Sequence, residues 1–209
     1  MDCWIFGAGE RTPLRQPVPA DALVIAADGG YAYARALGLR PGLVVGDFDS
    51  MPRPETDAEL IQLPTEKDDT DMLFAARQAL ARGAQRCHLY GGTGGRPDHS
   101  LANVQTLLWL RRQGVEARLY GAEMTAAVVE NGTLRLPAGR GYLSVFSLGN
   151  RAEGVTLHGL KYELESGALR DDFPLGVSNE RTGQAAEISV ARGVLLVLWQ
   201  ENQEAGAAL

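Results

Sequence analysis

The feature that most limits the fold of this chain is a change of rhythm near residue 124. Before it, short apolar runs at 2–8, 22–27, 43–46, 59–63, 86–90 and 115–120 read as strands, separated by segments of helical spacing at 31–37, about 70–81 and 97–112. Alternation of this kind predicts a parallel sheet, with the carboxyl ends of its strands delivered to one edge. After it, candidate strands at 126–130, 133–136, 142–147, 154–157, 162–164, 186–190 and 194–199 follow one another with Gly and Asn between them and no helical segment. The expected architecture is an N-terminal parallel-sheet α/β domain over 1–124, followed by a C-terminal all-β sandwich domain over 125–209.

Within the first region, the run Leu43-Val44-Val45-Gly46 leads into Asp47-Phe48-Asp49-Ser50. An extended backbone would turn Asp47 and Asp49 to one side and Phe48 to the other. Two adjacent carboxylates repel unless a cation lies between them, which points to Mg²⁺; an acidic loop, or a helix cap begun by Ser50, is the competing reading. A second strand ends in Asp28, followed by Gly29 and Gly30. The run Asp68-Asp69-Thr70-Asp71 opens a helix, and any of its first three residues can cap it. More acids stand there than one cap needs, so Asp71 is assigned to metal or substrate.

The strand at 86–90 runs into Gly91-Gly92-Thr93-Gly94-Gly95-Arg96 and then a helix whose apolar side is expected to carry Leu101, Val104, Leu107, Leu108 and Leu110. Strand, glycine loop and helix start form an anion site, to which Arg96 adds a forked phosphate donor. His99 fits a base or, more simply, a hydrogen-bonded neighbour of the site. Composition narrows the partners. Of 209 residues, 45% are hydrophobic and 22% charged, as in globular chains, and the net charge of -6 disfavours nucleic acid, which needs a basic face. No apolar run is long enough to span a membrane. Two cysteines, Cys3 and Cys87, both inside expected core strands, and an opening without a signal peptide predict a reduced, cytoplasmic protein.

The motifs in order, ADGG at 27–30, GDFDS at 46–50, DDTD at 68–71, GGTGGRPDHSLAN at 91–103, GLKYEL at 159–164 and VSNE at 177–180, resemble those of the thiamine pyrophosphokinase (thiamine diphosphokinase) family across nearly the whole chain. The resemblance implies transfer of a pyrophosphoryl group from ATP, as co-substrate, to thiamine with Mg²⁺, giving thiamine diphosphate and AMP. It further implies a metal and catalytic site at Asp47, Asp49 and Asp71, with Asp98 beside the substrate. Nucleotide contacts fall on Asp28, Gly29, Lys67, Thr70, Gly91, Gly92, Thr93, Gly94 and Arg96. Thiamine contacts fall on Asp98, Tyr162, Ser178 and Asn179, at the interface of a homodimer; Tyr162 stands where some relatives carry Trp. Two rivals remain beside this expectation. A different Mg-dependent nucleotidyltransferase would release pyrophosphate, and a nucleotide sensor would bind ATP without turnover.

Overall fold

The structure is a computed structural model that describes residues 1–48, 53–64 and 68–201. The chain divides into two compact units, Met1–Ala122 and Glu123–Leu209. The first contains, in chain order, β1 (Asp2–Phe6), β2 (Leu23–Ala27), α1 (Gly30–Ala36), β3 (Leu43–Gly46), β4 (Glu59–Gln62), α2 (Asp71–Ala81), β5 (Arg86–Tyr90), α3 (Pro97–Arg112) and β6 (Glu116–Tyr120). Its strands pair in parallel in the order β6-β5-β1-β2-β3-β4.

All four residues of β3 are buried, as expected of a strand covered on both faces. The more polar β4, with its two end residues exposed, closes the row. Alternate positions of β1, β5 and β6 send Trp4, Phe6, Tyr90 and Tyr120 into one cluster with Tyr33 and Ala34 of α1. The rings stack closely, with Tyr90 and Tyr120 centroids 4.5 Å apart. Their buried hydroxyls need partners, and the segment from Thr12 to Arg15 supplies them: Thr12 N donates to the Tyr33 hydroxyl at 2.7 Å and Arg15 N to that of Tyr90 at 3.1 Å.

Helix α2 buries Met72, Ala75, Ala76 and Ala79, the spacing its sequence predicts. Helix α3 departs from expectation. Its buried positions are Asn103, Thr106, Leu107 and Leu110, whereas Leu101 is 59% exposed. Two of the inward positions are polar, so a stripe drawn through apolar residues alone is rotated from the true one. Both polar groups are satisfied, Asn103 by Gly92 O at 2.7 Å and Thr106 by Ala102 O at 3.1 Å.

The second unit contains β7 (Met124–Glu130), β8 (Thr133–Leu136), β9 (Arg140–Ser147), β10 (Ala152–His158), β11 (Leu164–Leu169), β12 (Asn179–Thr182), β13 (Ala186–Ser189) and β14 (Val194–Gln200). The strands β12-β9-β14-β7 pair antiparallel, as do β11-β10-β13-β8. Inward side chains of both sets, among them Val145, Val155, Leu157, Ile188, Leu195, Val197 and Trp199, share one core. The strand expected at 162–164 instead begins at Leu164 and runs to Leu169. Strand β12, sequence NERT, has Thr182 as its one strand-favouring residue; its backbone pairs with Arg140–Leu143. Among the described residues, no helix is long and apolar enough to cross a membrane.

Candidate active site

In the first unit the strand order runs outward from β1 through β4 and then returns to the other side of β1 with β5. Open parallel sheets bind ligands outside the carboxyl ends of their strands, where the order reverses. Here that point lies between the loop after β1 and the loop after β5. A cavity of about 320 Å³ opens there.

One wall is acidic. Asp28 follows β2, Asp47 follows β3, and Asp69, Thr70 and Asp71 open α2; all five line the cavity. Asp28 stays in the sheet ladder, its N donating to Val45 O at 2.8 Å, but its φ of 49° turns the chain sharply toward α1. Strand β3 ends at Gly46, and Phe48 takes φ 57°. The alternation used to set Asp47 and Asp49 on one side of an extended strand therefore does not continue past Gly46. A left-handed residue between the two acids replaces the pleat. Asp49 and Lys67 lie outside the described residues.

At the start of α2, Thr70 is the cap: its Oγ1 accepts from Leu73 N at 3.2 Å. Asp69 instead accepts from Arg77 Nη1 at 2.5 Å, and that guanidinium lies 5.8 Å from the centre of the Trp109 ring. The sequence offers Asp69 as a cap. Its pairing with a residue two turns into the helix leaves no local sequence signal.

The opposite wall is backbone. The loops after β1 and β5 remain zipped beyond the strands, with Gly9 N donating to Gly91 O at 2.8 Å and Glu10 N to Thr93 O at 2.7 Å. A Cβ on Gly9 would lie 2.6 Å from Thr93 O, and one on Gly91 would lie 2.3 Å from Gly7 O. These glycines are required by the meeting of two backbones before any ligand is considered. Thr93 has a different signature. Its Oγ1 is buried without a hydrogen-bond partner among the described residues, and the residue lines the cavity. A buried hydroxyl left in that state is costly unless a ligand or water completes it.

His99 and Asn103 of α3 also line the cavity. Gly29 caps α1 without lining it. Arg96 and Asp98 are absent from the lining; they form a forked ion pair, Nε to Oδ1 at 3.2 Å and Nη2 to Oδ2 at 2.5 Å, with side chains 73% and 61% exposed. The Arg96 guanidinium, aided by His99 N, holds the Asp98 carboxyl below its usual range, which weakens it as a base.

In the second unit, Tyr162 is 60% exposed, with Lys161 Nζ 5.4 Å from its ring centre. Asn179 brackets that tyrosine: Oδ1 accepts from Tyr162 N at 3.0 Å and Nδ2 donates to Tyr162 O at 2.7 Å. Asn179 is buried, so what it does locally is fix the backbone that presents the ring. Ser178 is exposed in the left-handed region at φ 59°, its N bonded to Ser144 Oγ at 3.1 Å.

A family model described as "Thiamin pyrophosphokinase, catalytic domain" matches residues 14–119, and a second, described as "Thiamin pyrophosphokinase, vitamin B1 binding domain", matches 133–195. The chain belongs to the thiamin pyrophosphokinase family. The resemblance carried by the ordered motifs is thereby established. A thiamine pyrophosphokinase of Bacillus subtilis (strain 168) is 28% identical over 184 residues, spanning 84% of this chain and 86% of that protein. Among solved structures, a thiamine pyrophosphokinase from Bacillus subtilis superposes with TM-score 0.88 at 25% identity, covering 97% of this chain and all of the other. A thiamin pyrophosphokinase family protein from Enterococcus faecalis gives TM-score 0.83 at 31% identity over 97% of this chain and 100% of its own. The catalytic-domain match of this thiamin pyrophosphokinase family member contains every residue that lines the cavity, apart from Gly7, Ala8 and Gly9.

Proposed function

We propose that this chain transfers the pyrophosphoryl group of ATP to the hydroxyl of thiamine, releasing AMP and thiamine diphosphate, and that the chemistry takes place in the cavity at the reversal point of the parallel sheet. The observation that carries this reading is the composition of its walls: acids from three separate elements face a zipped glycine loop whose buried Thr93 hydroxyl lacks a hydrogen-bond partner among the described residues. An anion on the loop side and a cation on the acid side would complete both.

The donor set fits Mg²⁺. The acidic wall offers carboxylate and hydroxyl oxygens, the hard ligands this ion takes, and both cysteines are buried in the sheet. Among the described residues no three His, Cys, Asp or Glu side chains converge as a metal group. Asp47 and Asp71 would hold the ion together with Asp49, with Asp28 and Thr70 beside them. Bound there, Mg²⁺ supplies charge neutralisation to the polyphosphate.

The chain's own groups do the rest. Thr93 and the amides of 91–94 bind phosphate oxygens, with Arg96 as a further donor once it leaves Asp98. The bond from thiamine's oxygen to the β-phosphorus forms as the bond from that phosphorus to the α,β-bridging oxygen breaks, and the alcohol proton passes to a carboxylate. Asp71 is the better placed acceptor, because it lines the cavity and Asp98 does not.

The remaining assignments follow the division of the chain. Residues 1–124 bind ATP and Mg²⁺, Lys67 included, and residues 125–209, a β-sandwich, bind thiamine through Tyr162 and Ser178. A second copy of the chain covers the exposed apolar residues Phe173, Leu175 and Val177, forming a homodimer. Free, buried Cys3 and Cys87 suit a reducing cytoplasm.

The test is AMP formation from ATP with and without thiamine and Mg²⁺, in the wild type and in Asp71→Asn. AMP that requires thiamine, and that disappears in the variant while thermal unfolding is unchanged, is expected. Release of pyrophosphate in place of AMP would overturn the reading, and full activity in Asp71→Asn would remove that carboxylate from the mechanism.

A further inference from the structure

Asn103 is a polar residue at the buried face of a helix, and its amide does not serve the helix. It is 6% exposed, it lines the cavity, and its Nδ2 donates to Gly92 O at 2.7 Å across eleven residues of chain. The space is closed around that contact: a Cβ on Gly92 would lie 2.6 Å from Leu119 Cδ1 and 3.1 Å from Asn103 Nδ2. The carbonyl of residue 92 is therefore held in one orientation. Among the described residues no peptide bond is cis, so in the same rigid plane the N–H of Thr93 points the opposite way, away from Asn103. Among the described residues that N–H has no acceptor, and the Thr93 hydroxyl has none either, while the Thr93 carbonyl is tied to Glu10 N at 2.7 Å.

We infer that Asn103 is a positioning residue for the polyphosphate: by pinning the 92–93 peptide it presents the Thr93 N–H and hydroxyl together to a phosphate oxygen. The inference rests on the reading of the cavity as an ATP site. Asn103 itself touches no phosphate. Its contribution is pre-organisation, since a loop whose peptide is free to rotate would have to be ordered by the ligand at the expense of affinity.

The experiment is calorimetric titration of ATP into the full chain, with unfolding followed in parallel, for wild type, Asn103→Ala, Asn103→Ser and Asn103→Asp. Alanine and serine are expected to weaken ATP binding roughly 10- to 100-fold, the loss of one to two hydrogen bonds to a charged group. Serine keeps a polar atom in the pocket but is too short to reach Gly92 O, and it carries the test if the alanine variant does not fold. The aspartate variant distinguishes positioning from packing. It has the same shape without the donor, so it binds ATP poorly at neutral pH and recovers, relative to wild type, as the pH falls and a protonated carboxyl regains an O–H to donate. A purely structural role would lower the unfolding temperature and leave the affinity of the folded protein unchanged. Wild-type affinity in the folded variants overturns the inference. Failure of the wild type to bind ATP overturns instead the reading of the cavity on which it rests.

Discussion

His88 makes the first unit sensitive to acid. Its ring stacks on Trp4 with centroids 4.5 Å apart, its Nδ1 lies 3.0 Å from the Tyr120 hydroxyl and 2.9 Å from Gln16 Nε2, and the residue is 8% exposed. A neutral imidazole with an unprotonated Nδ1 can accept from the Tyr120 hydroxyl. Burial, reinforced by Arg118 and Arg86, lowers its pKa from 6.5 to about 4, against the opposing pull of Asp2. The sign follows from linkage. Between pH 6.5 and about 4 the unfolded chain takes up a proton that the folded chain refuses, so stability is fully present above 6.5 and drains away as the pH falls toward 4. At 1.36 kcal/mol per decade the gap amounts to roughly 3 kcal/mol, a large part of a typical domain's stability. Replacing His88 by Gln removes the titration and keeps a polar side chain in place. Urea unfolding at pH 7 and pH 4, read as the difference between wild type and His88→Gln, cancels the carboxylates common to both. The wild type should be the more stable at pH 7 through its stacking and hydrogen bonds, and its lead should shrink by roughly 3 kcal/mol at pH 4. A lead that stays constant across that range would refute the assignment, as would an imidazole NMR titration of His88 in the folded protein near 6.5.

Gly30→Ala would place a Cβ 1.8 Å from Phe6 O, a backbone atom inside the sheet that cannot move aside, so the variant should lose about 3 kcal/mol or more in urea unfolding. Wild-type stability there would mean that α1 can shift bodily off β1. Tyr162→Ala should raise the KM for thiamine roughly 10-fold, the worth of one ring stacked on a cationic heterocycle, with no change in unfolding because the side chain is 60% exposed. An unchanged KM would remove Tyr162 from the substrate site.

What the amino-acid sequence disclosed, and what it hid, separates along a physical line. Strand β5 and helix α3 run over the residues their patterns predict, Arg86–Tyr90 and Pro97–Arg112, because both are local signals: a run of strand formers, then Pro at the first helical position. Acids at the ends of β2 and β3 were visible for the same reason, and the sheet brings Asp28 and Asp47 to one cavity with Asp71. The hidden features are those in which a polar group is satisfied far along the chain. Asn103 turned the inner face of α3 away from the apolar stripe, Asp69 found Arg77, and β12 formed on the backbone of β9 while its Asn179 and Arg181 side chains bonded to backbone carbonyls at Tyr162 and Pro137. Hydropathy patterns assume that inward means apolar, and these positions are inward or paired through hydrogen bonds instead.

The glycine loop shows how such a pattern can point to the right place for an incomplete reason. Four glycines in the five residues 91–95 suggest close approach by a phosphate. In the fold, Gly91 meets the backbone of Gly7, and Gly94 and Gly95 take φ of 79° and 64° in a turn. Gly91 and Gly94 would be demanded by the fold even if the cavity bound nothing: a Cβ on either would fall within 2.7 Å of a neighbouring atom. Substituting them therefore tests folding first and nucleotide binding second. Thr93 is where the two roles part. Its carbonyl belongs to the zipped loops, and its buried hydroxyl has no hydrogen-bond partner among the described residues. A side chain that weakens the fold where it sits, and that one phosphate oxygen would satisfy, is a better indicator of an anion site than the glycines around it.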